Sequence, residues 1–324
     1  MLRKIVILWF FIFPIFTFSQ TETDVLKLKN GDVIKGKIIE NKINQIFNLN
    51  QCLVILKQIK EFPAISEDPL VTIYMPTYNC ADFIIDSINS ALNQTYKNTE
   101  ICVHDDGSTD RTLSIIKRKY RFSRKVRISS ATNGGIGSAS NSAIRGGKGE
   151  LILQLDSDDL LHPKALEELI PLMGKGIVCA YGSFNRIGTD GEEIDDGWDW
   201  PEYSHPRLMR SMIVHHPRLF RRDAWATVGG FDEDLENGVD YDFFLKLGEI
   251  GMMRHTSEKL YSYRIHDAST SQDKYDLQTR NTYLVQQYAL NRMGLDEFTN
   301  YAPNSSFPRR IHYSFSAFLN RHGV

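Results

Sequence analysis

The sequence predicts an α/β fold, with a parallel-rich sheet covered by helices on both faces. Two observations predict it. From Leu70 onward, short apolar runs of strand length alternate with longer stretches whose apolar residues recur on one helical face. That alternation is the pattern of parallel strands joined by crossover helices. In addition, polar clusters at residues 76–79, 105–110 and 156–159 each follow directly on a predicted strand. Ligands of such sheets bind beyond the C-terminal ends of the strands.

Composition sets the bounds. The 324 residues suffice for one large or two small domains. Hydrophobic content of 42% and charged content of 24% are ordinary for a globular chain. A net charge of −2 gives no reason to expect nucleic acid or an anionic membrane surface as the main partner. Cys52, Cys80, Cys102 and Cys179 form no C-x-x-C pair. They read as small buried thiols rather than a zinc site or disulfide framework.

Residues 1–20 place Arg3 and Lys4 before the apolar run Ile5–Phe18. This is the layout of a secretory signal. The run is short for a bilayer span, and Pro14 weakens a spanning helix. A cleavable signal peptide and a signal-anchor are both open. Residues 21–69 read as an N-terminal extension. In it Leu26 and Leu28 alternate with lysines up to Asn30-Gly31, and Val33-Ile34 resume beyond, which is a hairpin signature. A linker follows, broken by Pro63 and Pro69.

The main folded unit is expected over residues 70–270. Val71–Met75 is its first strand, followed by a helix from Ala81 to about Asn93 with Phe83, Ile84, Ile88 and Leu92 on one face. Glu100–His104 is the second strand, Arg111–Tyr120 a helix and Val126–Ser129 the third strand. Gly134, Gly135 and Gly137 then lead into a small-residue helix, Ser138–Arg145. These glycines do not make a dinucleotide fingerprint. A close backbone approach to a ligand and a tight helix entry both suit them.

The strand Leu151–Leu155 delivers Asp156, Asp158 and Asp159 at its end. Like charges this close repel, and partial burial aggravates the repulsion. A divalent cation is one compensation. A solvated turn with a helix N-cap is the other reading. On a regular strand Asp156 and Asp158 would share a face.

The motifs Pro76-Thr77-Tyr78-Asn79, Asp105-Asp106-Gly107-Ser108-Thr109-Asp110, Asp156-Ser157-Asp158-Asp159 and Asp240-Tyr241-Asp242 together resemble the inverting nucleotide-sugar glycosyltransferases of family 2. Residues 90–95, 135–141 and 154–159, with His215-His216, Arg218, Phe220 and Val239–Asp242, resemble in particular the glucuronic-acid-transferring module of bacterial hyaluronan and chondroitin synthases. The resemblance implies a GT-A fold, Rossmann-like, with a mixed central sheet and helices on both faces. It implies a UDP-sugar donor, a glycan acceptor and a Mn²⁺ or Mg²⁺ ion.

It also implies roles. Pro76 and Tyr78 would line the uracil pocket, Asp106 would accept from the uracil N3–H, and Asp156 would lie near the ribose. Asp158 would bind the metal, completed by His266 at the end of a strand near Tyr261. Asp159 would cap the next helix. Asp240 would be the general base that inversion requires, with Asp242 behind it. Both sit at a helix start, where the dipole favours a carboxylate in any case. The cluster from His215 to Arg222 lies between metal and base motifs. Arginine suits bidentate carboxylate recognition, so Arg218 is a candidate for the glucuronate carboxyl, and His215 or His216 for donor phosphate or acceptor. A solvated basic patch is the plainer reading. Trp198, Trp200 and Trp225 are candidates for stacking on acceptor sugars, with core packing the expectation for Trp225.

Residues 271–324 form a C-terminal helical extension, with a polar helix near 276–293 and an aromatic-rich tail. One transferase module implies a partner transferase for an alternating sugar. Membrane association, with the active site facing the cytoplasmic nucleotide-sugar pool, is expected, although an export signal at residues 1–20 conflicts with it. Transfer of another UDP-hexose or UDP-HexNAc is the alternative within the class; a catalytically inert carbohydrate-binding module on the same fold, and a secreted structural protein motivated by residues 1–20 alone, are the alternatives outside it.

Overall fold

The protein's computed structural model describes residues 24–27, 33–36, 62–199, 201–266 and 275–293. The signal-like segment, Asn30-Gly31, Cys52, Trp200 and the aromatic tail lie outside the described residues. Strands β1 (Asp24–Lys27) and β2 (Val33–Gly36) pair antiparallel, with Lys27 opposite Val33.

The central sheet begins with β3 (Val71–Thr77), whose seven residues are all buried. It is flanked in parallel by β4 (Thr99–Asp105) and β6 (Leu151–Gln154), and β4 in turn by β5 (Val126–Ser130). Strands buried on both faces need continuous apolar sequence rather than alternation, which V-T-I-Y-M and L-I-L supply. Pro76 is tolerated inside β3 because β6 pairs only as far as Tyr74, so that edge needs no N–H at Pro76. The helices α1 (Ile84–Leu92), α2 (Thr112–Lys119) and α3 (Gly135–Arg145) fill the crossovers.

The other half is mixed. β10 (Arg218–Arg221) runs antiparallel between β6 and β8 (Ile177–Ile187). β8 pairs in parallel with β11 (Met252–Arg264) and antiparallel with β9 (Glu193–Trp198). The two-residue strand β7 (Leu160–Leu161) closes the order β5-β4-β3-β6-β10-β8-β11-β7. Short helices α4 (Ala165–Leu169), α5 (His205–Arg210) and α6 (Arg222–Thr227) connect strands. Helix α7 (Val239–Ile250) carries the Asp240 motif, and α8 (Tyr275–Arg292) packs on it. The expected mixed α/β sheet is therefore what the chain forms.

Alternate residues along the strands feed two cores. Ile73, Met75, Leu151 and Leu153 pack with α1 and α4 residues, while Tyr74 and Ile152 pack with α3, α7 and α8 residues. In the second core Phe220, Phe231, Phe243 and Phe244 form one aromatic group with centroid distances of 4.2–6.2 Å. Truncating one of these rings to alanine costs about 3–5 kcal/mol.

Two boundaries differ from expectation. Phe62, 1% exposed, joins the core, and the Arg221 guanidinium lies over its ring. The folded unit thus begins before Leu70, because an aromatic ring inside the assigned linker finds a pocket. At the other end Val285, Ala289, Leu290 and Met293 of the α8 region are buried in the same core as α7, so α8 is part of the unit. Cys80, Cys102 and Cys179 are free and buried, and burial pushes the Cys80 and Cys102 thiols up to about 12 and 11.

Candidate active site

Two strand-end loops clasp each other at the C-terminal edge of β3 and β4. Asn79 adopts φ 50°, a conformation asparagine tolerates. Its Oδ1 accepts from Thr109 N (2.8 Å) and Asp110 N (3.3 Å), and its own N–H donates to Ser108 Oγ (2.9 Å). Asp110 closes the clasp by accepting from Ala81 N (3.1 Å) and Thr112 N (2.8 Å). Helix α1 starts at Ile84 rather than Ala81, preceded by a turn over residues 81–83 in which Ile84 N donates to Cys80 O. The clasp leaves Tyr78 50% exposed at the strand end, an open ring face.

Asp106 takes the first two N–H groups of α3. Gly134 N donates to Oδ1 (2.8 Å) and Gly135 N to Oδ2 (3.0 Å). The glycine-rich stretch is thus a tight helix entry, and each Asp106 oxygen retains a second lone pair. The small residues of α3 serve a close approach: a Cβ at Gly137 would lie 2.4 Å from Asp232 O. Asn141 fixes the same loop by donating to Phe231 O (2.9 Å). Trp225 Nε1 donates to Asn141 Oδ1 (3.2 Å), and the ring packs on the core as expected.

The three carboxylates after β6 go separate ways. β6 stops at Gln154, so Asp156 and Asp158 do not share a strand face; a turn splits them. Asp156 Oδ1 accepts from Gln154 Nε2 (3.0 Å), and Oδ2 stands 3.2 Å from His216 Nε2. The Asp156 backbone N–H donates to Tyr261 Oη (3.1 Å), while the His216 ring stacks on Tyr261. Burial pushes the Asp156 carboxyl up, but the His216 charge and hydrogen bonds outweigh it and hold it down at about 2. Asp158 Oδ2 stands 3.0 Å from His266 Nε2. Burial and the neighbouring Asp156 charge push the Asp158 carboxyl up, so this anion is short of positive charge. Asp159 caps no helix. It is buried and accepts from Arg264 N (2.7 Å), tying the turn to the end of β11.

Asp240 lies in the first turn of α7, entered through Gly238 at φ 75°. Its side chain is 44% exposed, yet Oδ2 accepts from Arg218 (3.0 Å) and Oδ1 from Tyr241 N (2.8 Å). Burial pushes its carboxyl up, and the Arg218 guanidinium overcomes this and holds it below the usual carboxylate range. Asp242 faces the other way. It is 0% exposed and paired with Arg292 (3.1 Å) and Lys246 (2.5 Å). A carboxylate sealed in a buried ion-pair group is a scaffold, not a back-up base.

The expected basic cluster dissolves in the same way. Arg218 is 1% exposed, with its guanidinium on Val214 O (2.7 Å), Gln154 Oε1 (3.1 Å) and Asp240. It is turned from solvent and holds a protein carboxylate rather than an open ligand site. Burial and then the Arg218 charge push His215 down to about 3, so it is neutral. Its Nε2 lies 3.0 Å from Met212 O, an acceptor only, so Nε2 carries the proton. Arg221 bonds Pro63 O, and Arg222 bonds Gly149 O and Ile144 O.

The residues fit a hard divalent ion. Asp158 oxygen and His266 nitrogen, 3.0 Å apart, suit adjacent positions on an ion with bonds of about 2.1 Å. Among the described residues no group of three or more His, Cys, Asp or Glu forms a closed cage. An ion here would take its other ligands from phosphate and water, the usual pattern for Mg²⁺ on nucleotides.

The family model for glycosyl transferase family 2 matches residues 72–228, from β3 to just past α6. The chain belongs to this family. Chondroitin synthase of Pasteurella multocida (strain Pm70) is 41% identical over 289 residues, 87% of this chain and 29% of that protein. Hyaluronan synthase of Pasteurella multocida is 44% identical over 72% of this chain and 25% of its own length. Chondroitin synthase of Escherichia coli is 37% identical over 93% and 43%. The chain thus spans less than half the length of these relatives. Among solved structures, S. aureus TarS 1–349 in complex with UDP-GlcNAc superposes with a TM-score of 0.57 at 21% identity, covering 78% of this chain and 72% of that one. Mannosyltransferase PcManGT from Pyrobaculum calidifontis, in complex with GDP-Man and Mn²⁺, superposes with a TM-score of 0.53 at 17% identity, covering 86% and 88%. These two likenesses establish the GT-A fold.

For this family 2 member, the structure joins Asp156 to His216, Asp158 to His266, and Asp240 to Arg218. It leaves Asp242 apart. Gln154, which opens the 154–159 motif, and Tyr261 carry no role in the motif reading, yet both bond Asp156. The one sequence signal for Gln154 is an amide ending an otherwise apolar strand.

Proposed function

We propose that the chain is an inverting, divalent-metal-dependent glycosyltransferase that moves a sugar from UDP to a hydroxyl of a glycan acceptor. The observation that carries this reading is Asp240, a partly exposed carboxylate kept ionised by a buried arginine. Its ionised state lets it accept a proton, and its partial exposure leaves room for an acceptor hydroxyl to reach it. Asp240 takes the proton from the acceptor hydroxyl. The freed oxygen bonds to the anomeric carbon as the bond to the diphosphate oxygen breaks, and UDP leaves with the electron pair. One base and one displacement invert the anomeric centre.

Asp158 and His266 would hold a Mn²⁺ or Mg²⁺ ion, which would supply Lewis-acid neutralisation of the diphosphate. Tyr78 offers its exposed face to uracil beside Pro76, Asp106 offers its free lone pairs to the base N–H, and Asp156 serves the ribose. His216, stacked and beside Asp156, is the histidine suited to the donor. Glucuronic acid as the donor sugar rests on the motif resemblance, since Arg218 is not open to a sugar carboxyl. Attachment through residues 1–20 keeps the site on the nucleotide-sugar pool; among the described residues no helix is long and apolar enough to cross a membrane.

UDP release measured across UDP-glucuronate, UDP-glucose, UDP-GlcNAc and UDP-GalNAc, with Mn²⁺ or chelator, tests the proposal. Metal-dependent release, fastest with UDP-glucuronate, is expected. Faster release from another donor replaces the sugar, and no release from any donor makes the chain an inert carbohydrate-binding module.

A further inference from the structure

A buried hydrogen-bonded chain joins the two ends of the site. Gln154 closes β6, and its amide spans two partners: Nε2 donates to Asp156 Oδ1 (3.0 Å), and Oε1 accepts from Arg218 Nη1 (3.1 Å). The other arm of Arg218 donates to Asp240 Oδ2 (3.0 Å). Both linking side chains are buried. The direction of the amide is forced, because a carboxylate only accepts and a guanidinium only donates.

Arg218 is itself immobilised by Val214 O and by the Phe244 ring, 4.9 Å from the guanidinium carbon. Phe244 belongs to the helix that carries Asp240. On β3, Tyr74 stands opposite Gln154 in register, and its buried hydroxyl has no hydrogen-bond partner among the described residues. Burial, and then the Asp156 and Asp240 charges, push that hydroxyl well up, so both carboxylates bear on one interior zone. An amide and a guanidinium in the core are costly unless both ends are paired. Here the pairing runs from one functional carboxylate to the other.

We propose that Gln154 and Arg218 are positioning residues that lock Asp240 in a fixed relation to Asp156, so that the acceptor is activated where the donor is held. This rests on the reading of Asp240 as the base. The groups facing Asp240 are Arg218 on β10, His215 and His216 before it, Tyr74 on β3, and the Tyr241 N–H on its own helix.

The test is UDP-release kinetics on the full chain. Gln154→Met removes both amide hydrogen bonds at similar volume. Its kcat is expected to fall by about 10-fold or more through misplacement of the base. The acid limb of its kcat profile moves to higher pH, because a loosened Arg218 depresses Asp240 less. Gln154→Glu keeps an acceptor for Arg218 but sets a carboxylate against Asp156, so donor KM rises. Arg218→Lys keeps the charge and loses the fork, so kcat falls while donor KM holds within about 2-fold.

A Gln154→Met enzyme with wild-type kcat and an unmoved acid limb overturns the proposal. So does an Arg218→Lys enzyme with raised donor KM and unchanged kcat, which would make Arg218 a donor ligand. If Gln154→Met does not fold, the other two variants decide. Absence of turnover in the wild type counts against the transferase reading alone. The link is then read by ¹³C carboxyl titration, where Asp240 titrates higher in Gln154→Met and an unchanged titration overturns it.

Discussion

The two halves of the sheet hold their polar groups in opposite ways. In the parallel half, from β3 to β5, the strand-end loops are fixed by local backbone. Asn79, Asp106 and Asp110 accept from main-chain N–H groups of neighbouring loops. In the mixed half, from β8 to β11 with α7 and α8, the polar groups are buried charges held by partners distant in sequence. Arg218 holds Asp240, Arg292 holds Asp242 and Glu249, and Arg264 N holds Asp159. The first arrangement leaves side chains open at the rim for a ligand. The second consumes most of its charge internally and leaves Asp240 as the partly exposed member.

The sharpest way to break this comparison is at Asp240. Asp240→Asn is expected to lower kcat by about 10³-fold with the fold intact, measured by UDP release and circular dichroism. If Asp242→Asn has that kinetic effect instead, the roles of the two aspartates in the first turn of α7 are reversed. At the metal pair, Asp158→Ala or His266→Ala should raise the Mn²⁺ concentration for half-activity by about 10- to 100-fold; an unaltered Mn²⁺ dependence removes these two as ligands.

Asp242→Ala tests the scaffold side. It removes the buried partner of Lys246 and leaves Arg292 with Glu249 alone, so denaturant unfolding should lose about 1–3 kcal/mol while the donor KM is kept. A stable Asp242→Ala protein with lost activity would contradict the scaffold role. The smallest effect is with pH. Burial, followed by the charges of Arg292 and Arg218, holds His205 down at about 4 and His215 at about 3. Between these values and the ordinary histidine range, near 6.5, the unfolded chain binds more protons than the folded one. Stability therefore falls as pH drops through that window. Thermal melting from pH 7 to pH 4 should show this, and His205→Gln should flatten part of the slope.

The same contrast explains what was legible in the sequence. The parallel half could be read because its signals are local: apolar strand runs, one-faced helices and polar clusters at strand ends. Its differences are small, such as the start of α1, three residues after the expected Ala81. The mixed half hid its logic. Arg218 and Asp242 look like exposed charges in sequence, and only the packing of β6, β10, α7 and α8 shows what they face. Asp156 and Asp158 would share a face only on a strand that continued through them; β6 stops at Gln154, one residue before the expected Leu155, and a turn separates them. Phe62 was assigned to a linker because its pocket is formed by residues far along the chain.

The central claim is that Asp240 acts as a single base in a single displacement. The most direct measurement is the anomeric configuration of the product, followed by ¹H NMR during transfer from an α-linked UDP-sugar with Mn²⁺. The account predicts a β-linked product from the first turnover. An α-linked product would contradict it, since retention requires a different mechanism from one base and one inversion.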